Sequence, residues 1–213
     1  MRKFKMVTGL FLVMVIVASA VFSVSLNDVL VTSENMKTIK CVVNATKFSK
    51  RSKSQVEFLF YFNRDGQKLR IEYTAPRNMK GSIVAIDGEY FYNYISSLKR
   101  TMKKELSGDF DKNKAPGRDM GIFFDFVYGD LDRVFSNMQH EYIGEETLKI
   151  NKKEVNTYHY VFQKADEKQE VWFDSETLAP VKIVIYQDGK KVYEIFVFDI
   201  QINITLEDSL FRL

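Results

Sequence analysis

Side chains able to do chemistry are sparse in this chain, and their spacing matches no catalytic or metal-binding pattern. His140 and His159, the two histidines, each sit in a strand-like stretch without a serine, cysteine and carboxylate arrangement around them, as surface or satisfied histidines do. There is no nucleophile elbow, no phosphate-cradling glycine loop and no dinucleotide fingerprint. Cys41 is the single cysteine, so no internal disulfide can form, and the residue reads as a small buried hydrophobe. Two histidines are too little material for a typical zinc site. Asp109, Asp111, Asp119 and Asp125 miss the ligand spacing of a calcium loop and read as loop and helix-cap carboxylates. These residues point to no enzyme, no metal and no cofactor.

Two constellations remain. The first is basic: Lys99, Arg100, Lys103 and Lys104 beside the aromatic run Tyr90-Phe91-Tyr92-Asn93-Tyr94. It reads either as an exposed sheet edge guarded by lysines or as a rim that meets anionic head groups or an acidic partner. The second is the apolar run Ile122-Phe123-Phe124-Asp125-Phe126-Val127. It is either an ordinary helix packed on a sheet or a lid over an apolar cavity.

The elements that must position these groups follow from periodicity. Leu26, Val29, Leu30, Met36 and Ile39 recur at helical spacing, with Asn27 or Asp28 as the cap. The period then changes to two. Cys41–Ser49, Gln55–Phe62 and Lys68–Tyr73 read as strands, with Arg64-Asp65-Gly66 as the turn between the last two. Ser82–Ile86 and Glu89–Ile95 form a hairpin about Asp87-Gly88, and Arg100–Leu106 adds a further strand. Gly108 to Gly117 is turn-rich. Asp119–Met138 reads as two short helices divided at Tyr128-Gly129-Asp130, with Asp130 capping the second. From His140 to Ile200 alternation returns in four or five strands. The whole is a meander of antiparallel strands interrupted by a helical insertion, mainly β with a minor α part. Phe58-Leu59-Phe60-Tyr61-Phe62 is apolar on both sides, so both faces of the sheet must be covered. Strong curvature under helices leaves a packed core or an apolar cavity, and the pattern alone does not separate them.

Compartment and charge bound the rest. Arg2, Lys3 and Lys5, the apolar run Met6 to Ala18 and the small residues Ala18-Ser19-Ala20 form a secretory signal peptide over residues 1–20, with cleavage as late as residue 25 as an alternative. An uncleaved anchor is the rival, because Met6 to Val24 nearly spans a bilayer. No cysteine lies at the cleavage point, so the exported protein is not itself lipidated. Setting aside the three bases of the leader from 31 Lys+Arg leaves 28 against 28 Asp+Glu. A net charge of zero removes the long-range attraction that nucleic-acid binding needs. Residues 21–213 suit one domain with one sizeable core.

The order of motifs resembles the LolA family and the related outer-membrane lipoprotein-sorting proteins. Leu69-Arg70-Ile71-Glu72-Tyr73-Thr74-Ala75-Pro76 is a strand ending at proline. Met79 to Tyr94 then runs through the Asp87-Gly88 turn into an aromatic strand, and Leu98-Lys99-Arg100 with Lys103 follows. Glu170-Val171-Trp172-Phe173-Asp174, then Leu178-Ala179-Pro180-Val181-Lys182-Ile183, is similar to the family's paired strands, and Ile204 to Phe211 resembles its terminus. The resemblance implies a strongly curved, incomplete antiparallel β-barrel whose helices cover an apolar cavity. It implies a monomeric periplasmic carrier that takes lipoprotein acyl chains from an inner-membrane transporter to an outer-membrane acceptor. Close alternatives are a carrier of free lipids for an exporter and an RseB-like sensor of lipoproteins. The implied cavity residues are Phe58, Phe60, Leu69, Ile71, Ile83 and Tyr92, and the implied lid residues Met120, Phe123, Phe124 and Val127. Arg64 is the candidate for the arginine that bonds to lid carbonyls. Phe124→Glu is then expected to abolish binding of an apolar probe and leave the fold intact.

Overall fold

A computed structural model describes residues 25–106 and 120–213. The leader and the turn-rich segment 107–119, with Asp109, Asp111 and Asp119, lie outside the described residues. Helix α1 (Leu26–Asn35) is followed by β1 (Thr38–Phe48), β2 (Lys53–Asn63), β3 (Lys68–Ala75), β4 (Ile83–Ile86), β5 (Tyr90–Ile95) and β6 (Arg100–Glu105). Helices α2 (Ile122–Tyr128) and α3 (Leu131–Asn137) interrupt the sheet. β7 (Gln139–Ile150), β8 (Lys153–Lys164), β9 (Glu167–Asp174), β10 (Pro180–Gln187) and β11 (Lys190–Ile202) complete it, before a short 3-10 turn at Asp208–Phe211.

The eleven strands form one antiparallel sheet in the order β6-β5-β4-β3-β2-β1-β11-β10-β9-β8-β7, so the two halves of the meander join through β1 and β11. The sheet does not close, because β6 and β7 are separate edges. The incomplete barrel implied by the sequence is therefore the fold observed. Every residue of β6 is exposed, and Lys103 places its ammonium 3.6 Å from the Tyr90 ring centroid. Charge on an open edge disfavours pairing with another strand.

Two local expectations shift. The α1 cap is Ser25, whose N–H and hydroxyl both donate to Asp28 Oδ2 at 3.0 Å, so Asp28 sits in the first turn and does not cap. The helix ends at Asn35, before Ile39, because Ile39 is claimed by the ladder opposite Phe62 and Ile202.

Strand alternation divides the side chains between two faces. Cys41, Phe60 and Ile71 stand in register on neighbouring strands of the inner face, which receives the helices. Burial pushes the Cys41 thiol far above its ordinary range, which removes its nucleophilic form at neutral pH. The outer face carries a smaller cluster of Ile150, Trp172, Val181 and Val184. There the His159 ring stacks on Trp172 at 4.0 Å and Lys182 stands 3.9 Å from the indole centroid. Glu146 joins the two rings, accepting from Trp172 Nε1 at 3.0 Å and lying 2.8 Å from His159 Nδ1.

This carboxylate carries a pH dependence. Partial burial alone raises the Glu146 pKa, but the bonds from Trp172 and His159 outweigh it and hold it below the ordinary value. A depressed folded-state pKa contributes stability that is present above the unfolded value, about 4.3, and is lost as pH falls through the folded one. Glu146→Gln should therefore flatten the fall in urea midpoint between about pH 5 and pH 3. An unchanged acid limb in the variant would show that Glu146 carries none of it.

Candidate hydrophobic ligand site

The site is built around α2, and glycine sets both ends of that helix. Gly121 precedes it at φ +60, where an added Cβ would lie 2.5 Å from Gln169 Oε1 and 2.9 Å from Ile185 Cδ1. Gly129 ends it in the left-handed conformation, its N–H directed to Phe126 O, which a side chain there would strain. Ile122 to Val127 are all buried. The helix is thus not a cover laid over the mouth of the barrel. It occupies the hollow.

Phe123 meets Phe60 edge-on at 5.5 Å, and Phe124 stacks on Tyr128 at 4.2 Å, which in turn packs on Phe62 at 4.6 Å. Phe123, Phe126 and Val127 join Phe58, Phe60, Leu69 and Ile71 in one apolar cluster. The space expected as an open cavity is mostly filled by the chain's own side chains. What remains is a cleft of ≈ 240 Å³ lined by Val56, Phe58, Ile71, Tyr73, Met120 and Ile195, with Lys47 and Ser54 at its edge. That volume falls short of the ~300–1,000 Å³ typical of a ligand pocket. A wider opening of ≈ 600 Å³ beside it is lined partly by charged groups, among them Asp125, Arg133, Lys164 and Glu167.

Side chains, not strand pairing, hold α2 in place. At its start, the Ile122 N–H donates to Gln169 Oε1 at 3.1 Å, and the Gln169 side chain is itself buried. At its end, Arg64 donates from Nη2 and Nε to Val127 O at 2.7 and 3.2 Å, and from Nη2 to Phe126 O at 3.3 Å. A further bond from Arg64 Nη1 to Glu34 O at 3.0 Å ties α1 to the same guanidinium. The Ser33 hydroxyl donates to Phe126 O at 2.7 Å. Burial lowers the Arg64 pKa, opposed by Asp130, Asp65 and Glu34, and the group stays charged. Gly129 leaves room for this contact, since a Cβ there would lie 3.0 Å from Arg64 Nη1.

The residues named from sequence divide accordingly. Phe58, Phe60, Leu69, Ile71, Met120, Phe123 and Val127 come together in the hollow. Ile83 and Tyr92 do not. Ile71 pairs with Val84 and Leu69 with Ile86, so Val84 and Ile86 are the inward residues of β4, and Ile83, opposite Glu72, points outward. Tyr92 pairs with Ala85 and bonds through its hydroxyl to Asp87 Oδ2 at 2.9 Å, again on the outer face. A slip of one residue reverses every side chain in a strand, and the short β4 left little pattern to fix it. Phe124 is 2% exposed, so glutamate there would bury a carboxylate and cost the fold as well as any binding. Gln169 and Ser33 were missed. A buried polar residue in an alternating strand or helix is their only sequence signal. Among the described residues no group of His, Cys, Asp and Glu could hold a metal ion, and no helix is long and apolar enough to cross a membrane.

An open antiparallel sheet with a helix tied into its hollow is the incomplete barrel that the motif order implies. No family model matches the sequence, and no curated protein does. Among solved structures, an uncharacterized conserved protein from Thermus thermophilus superposes with a TM-score of 0.54 at 12% identity, covering 88% of this chain and 93% of that one. The complex of MucA and MucB from Pseudomonas aeruginosa gives a TM-score of 0.51 at 13% identity, covering 88% of this chain and 59% of the matched one. A LolA superfamily protein from Nitrosomonas europaea aligns more loosely, with a TM-score of 0.45 at 11% identity, covering 90% of this chain and 99% of that one. At such identities the likeness establishes the fold, and function has to be argued from the site.

Proposed function

We propose that this protein is an exported, non-enzymatic carrier that takes acyl chains between α2 and the inner face of the sheet. The observation that carries the reading is α2 itself: a seven-residue helix, apolar but for Asp125 and buried from Ile122 to Val127, held by Gln169, Ser33 and Arg64 without any strand pairing. Such an element can leave as a unit, and the surface it uncovers is a continuous apolar lining of Phe58, Phe60, Leu69 and Ile71. Hydrocarbon placed there gains about 0.8 kcal/mol per buried methylene, so transport needs no covalent step. Release requires that the occupied and self-filled arrangements lie close in free energy.

In this reading residues 1–20 are a cleaved leader, the remainder is one carrier domain, and the site of action is the periplasm. Arg64 is the arginine that holds α2 in the hollow. The cargo is the acyl chains of lipoproteins, passed from an inner-membrane transporter to an outer-membrane acceptor. Free lipid is the alternative cargo. A regulatory reading, in which a protein partner is bound in the manner of MucB with MucA, is favoured only by the shared fold.

Protein purified from its host should yield bound lipoprotein or phospholipid on extraction, and after delipidation should bind an apolar fluorescent probe that fatty acid displaces. A folded protein with neither bound lipid nor displaceable probe would end the carrier reading. Co-purification of one stoichiometric protein partner without lipid would favour the regulatory one.

A further inference from the structure

We propose that the end of the sheet where the cleft opens is a docking surface for an anionic lipid bilayer. The ladder brings five connections to that end: those between β1 and β2, β3 and β4, β5 and β6, β8 and β9, and β10 and β11. Pairs near the strand ends fix this arrangement, among them Lys47 with Tyr193, Glu57 with Ala75, Ile95 with Arg100 and Gln187 with Glu167.

Charge is segregated toward this end. The β1–β2 turn and the strand ends that flank it carry Lys47, Lys50, Arg51 and Lys53, all exposed, with no acid between them. The β3–β4 connection adds Arg77 and Lys80, and the β5–β6 turn adds Lys99 and Arg100, all exposed. Lys190 and Lys191 follow Asp188 in the β10–β11 turn, where Lys191 pairs with Glu194 at 2.8 Å. Only the β8–β9 turn is balanced, Lys164 and Lys168 against Asp166 and Glu167. The opposite end is mixed: Asp65, Asp87, Glu89, Asp174 and Glu176 lie in or beside its turns together with Arg64, Lys68, Lys152 and Lys153. In a chain with almost equal numbers of acids and bases, the cationic excess thus lies at the end where the cleft opens.

The shape favours a bilayer over a protein or a small anion. Cationic groups lie on several separate turns around the opening and do not converge into a pocket, which suits an extended anionic surface. Leu98, at the tip of the β5–β6 turn, is 62% exposed beside Lys99 and Arg100, placed to enter the head-group layer. The cleft lined by Met120 and Phe58 opens beside Lys47 on the same end, so a lipid would cross directly between bilayer and protein. The charge argument does not depend on the carrier reading.

The test is co-sedimentation of the purified protein with vesicles. It should bind vesicles of phosphatidylcholine mixed with phosphatidylglycerol, leave phosphatidylcholine vesicles alone, and be released at about 0.5 M salt. The triple variant Lys50→Glu, Arg51→Glu, Lys53→Glu should bind the mixed vesicles roughly a hundredfold more weakly, with unchanged circular dichroism and probe binding. The pair Asp174→Lys, Glu176→Lys at the other end should not weaken binding. Equal binding to both vesicle types, no binding at low salt, or undiminished binding by the triple variant would overturn the proposal. Vesicle binding without any probe binding would leave it standing and remove the carrier reading.

Discussion

Arg64→Ala frees α2 without unfolding the sheet. The guanidinium donates to Val127 O, Phe126 O and Glu34 O, and Phe126 O keeps the Ser33 hydroxyl when the arginine is lost. Charge-assisted hydrogen bonds are worth about 1.5–3 kcal/mol, and the lower part of that range applies to a side chain partly open to water. The ratio of tied to released helix should fall about tenfold to thirtyfold. Hydrogen exchange at the amides of α2 should accelerate by that factor, while β1, β2 and β11 keep their protection. The apparent affinity for an apolar probe should tighten by the same factor, because the probe no longer works against the arginine. Arg64→Lys should fall between the two, since a point donor cannot serve two carbonyls in one plane. Wild-type exchange throughout α2 in Arg64→Ala would show that the bonds observed do not hold the helix.

Phe123→Ala carries the largest effect on stability. Its side chain is fully buried and meets Phe60 at the centre of the hollow. Truncating a buried phenylalanine costs about 3–5 kcal/mol, a large share of the ~5–15 kcal/mol that holds a folded domain. A urea titration should show that loss as a lower midpoint at unchanged slope. The void would be walled by the same apolar cluster that supplies Phe58, Ile71 and Met120 to the cleft, so a long-chain fatty acid should recover part of the stability by filling it. A loss under about 1 kcal/mol would mean that α2 packs loosely. A full loss without recovery by fatty acid would mean that no chain reaches the hollow.

The sequence carried the elements well because each rests on local rules. The helix of Leu26 onward, the strands about Phe60, Ile71 and Phe91, and the break at Tyr128-Gly129-Asp130 all appear in place. The break is legible because Gly129 supplies a left-handed residue that few others tolerate. Arg64 came from the family resemblance, which placed the arginine one residue away at Asp65, and its contacts with Val127 and Phe126 are long-range, beyond what periodicity can show. Facing errors arose in short strands: Ile83 in β4, of four residues, and Tyr92 in β5, of six, face away from the hollow. The filled interior was not legible either. Whether a bent sheet encloses room or side chains depends on how deep the inserted helix sits, and no local pattern of Phe123 or Phe126 records depth. Gln169 is similar: its role follows only from the meeting of β9 with the start of α2.

The position of α2 has a consequence for the molecule at rest. Phenylalanines that would otherwise present an adhesive surface to neighbouring chains are matched by partners on the same chain and withheld from contact with others. Because that occupant is covalently attached, its local concentration stays fixed however dilute the protein becomes. In the carrier reading, a visiting hydrocarbon therefore competes with a resident that cannot diffuse away.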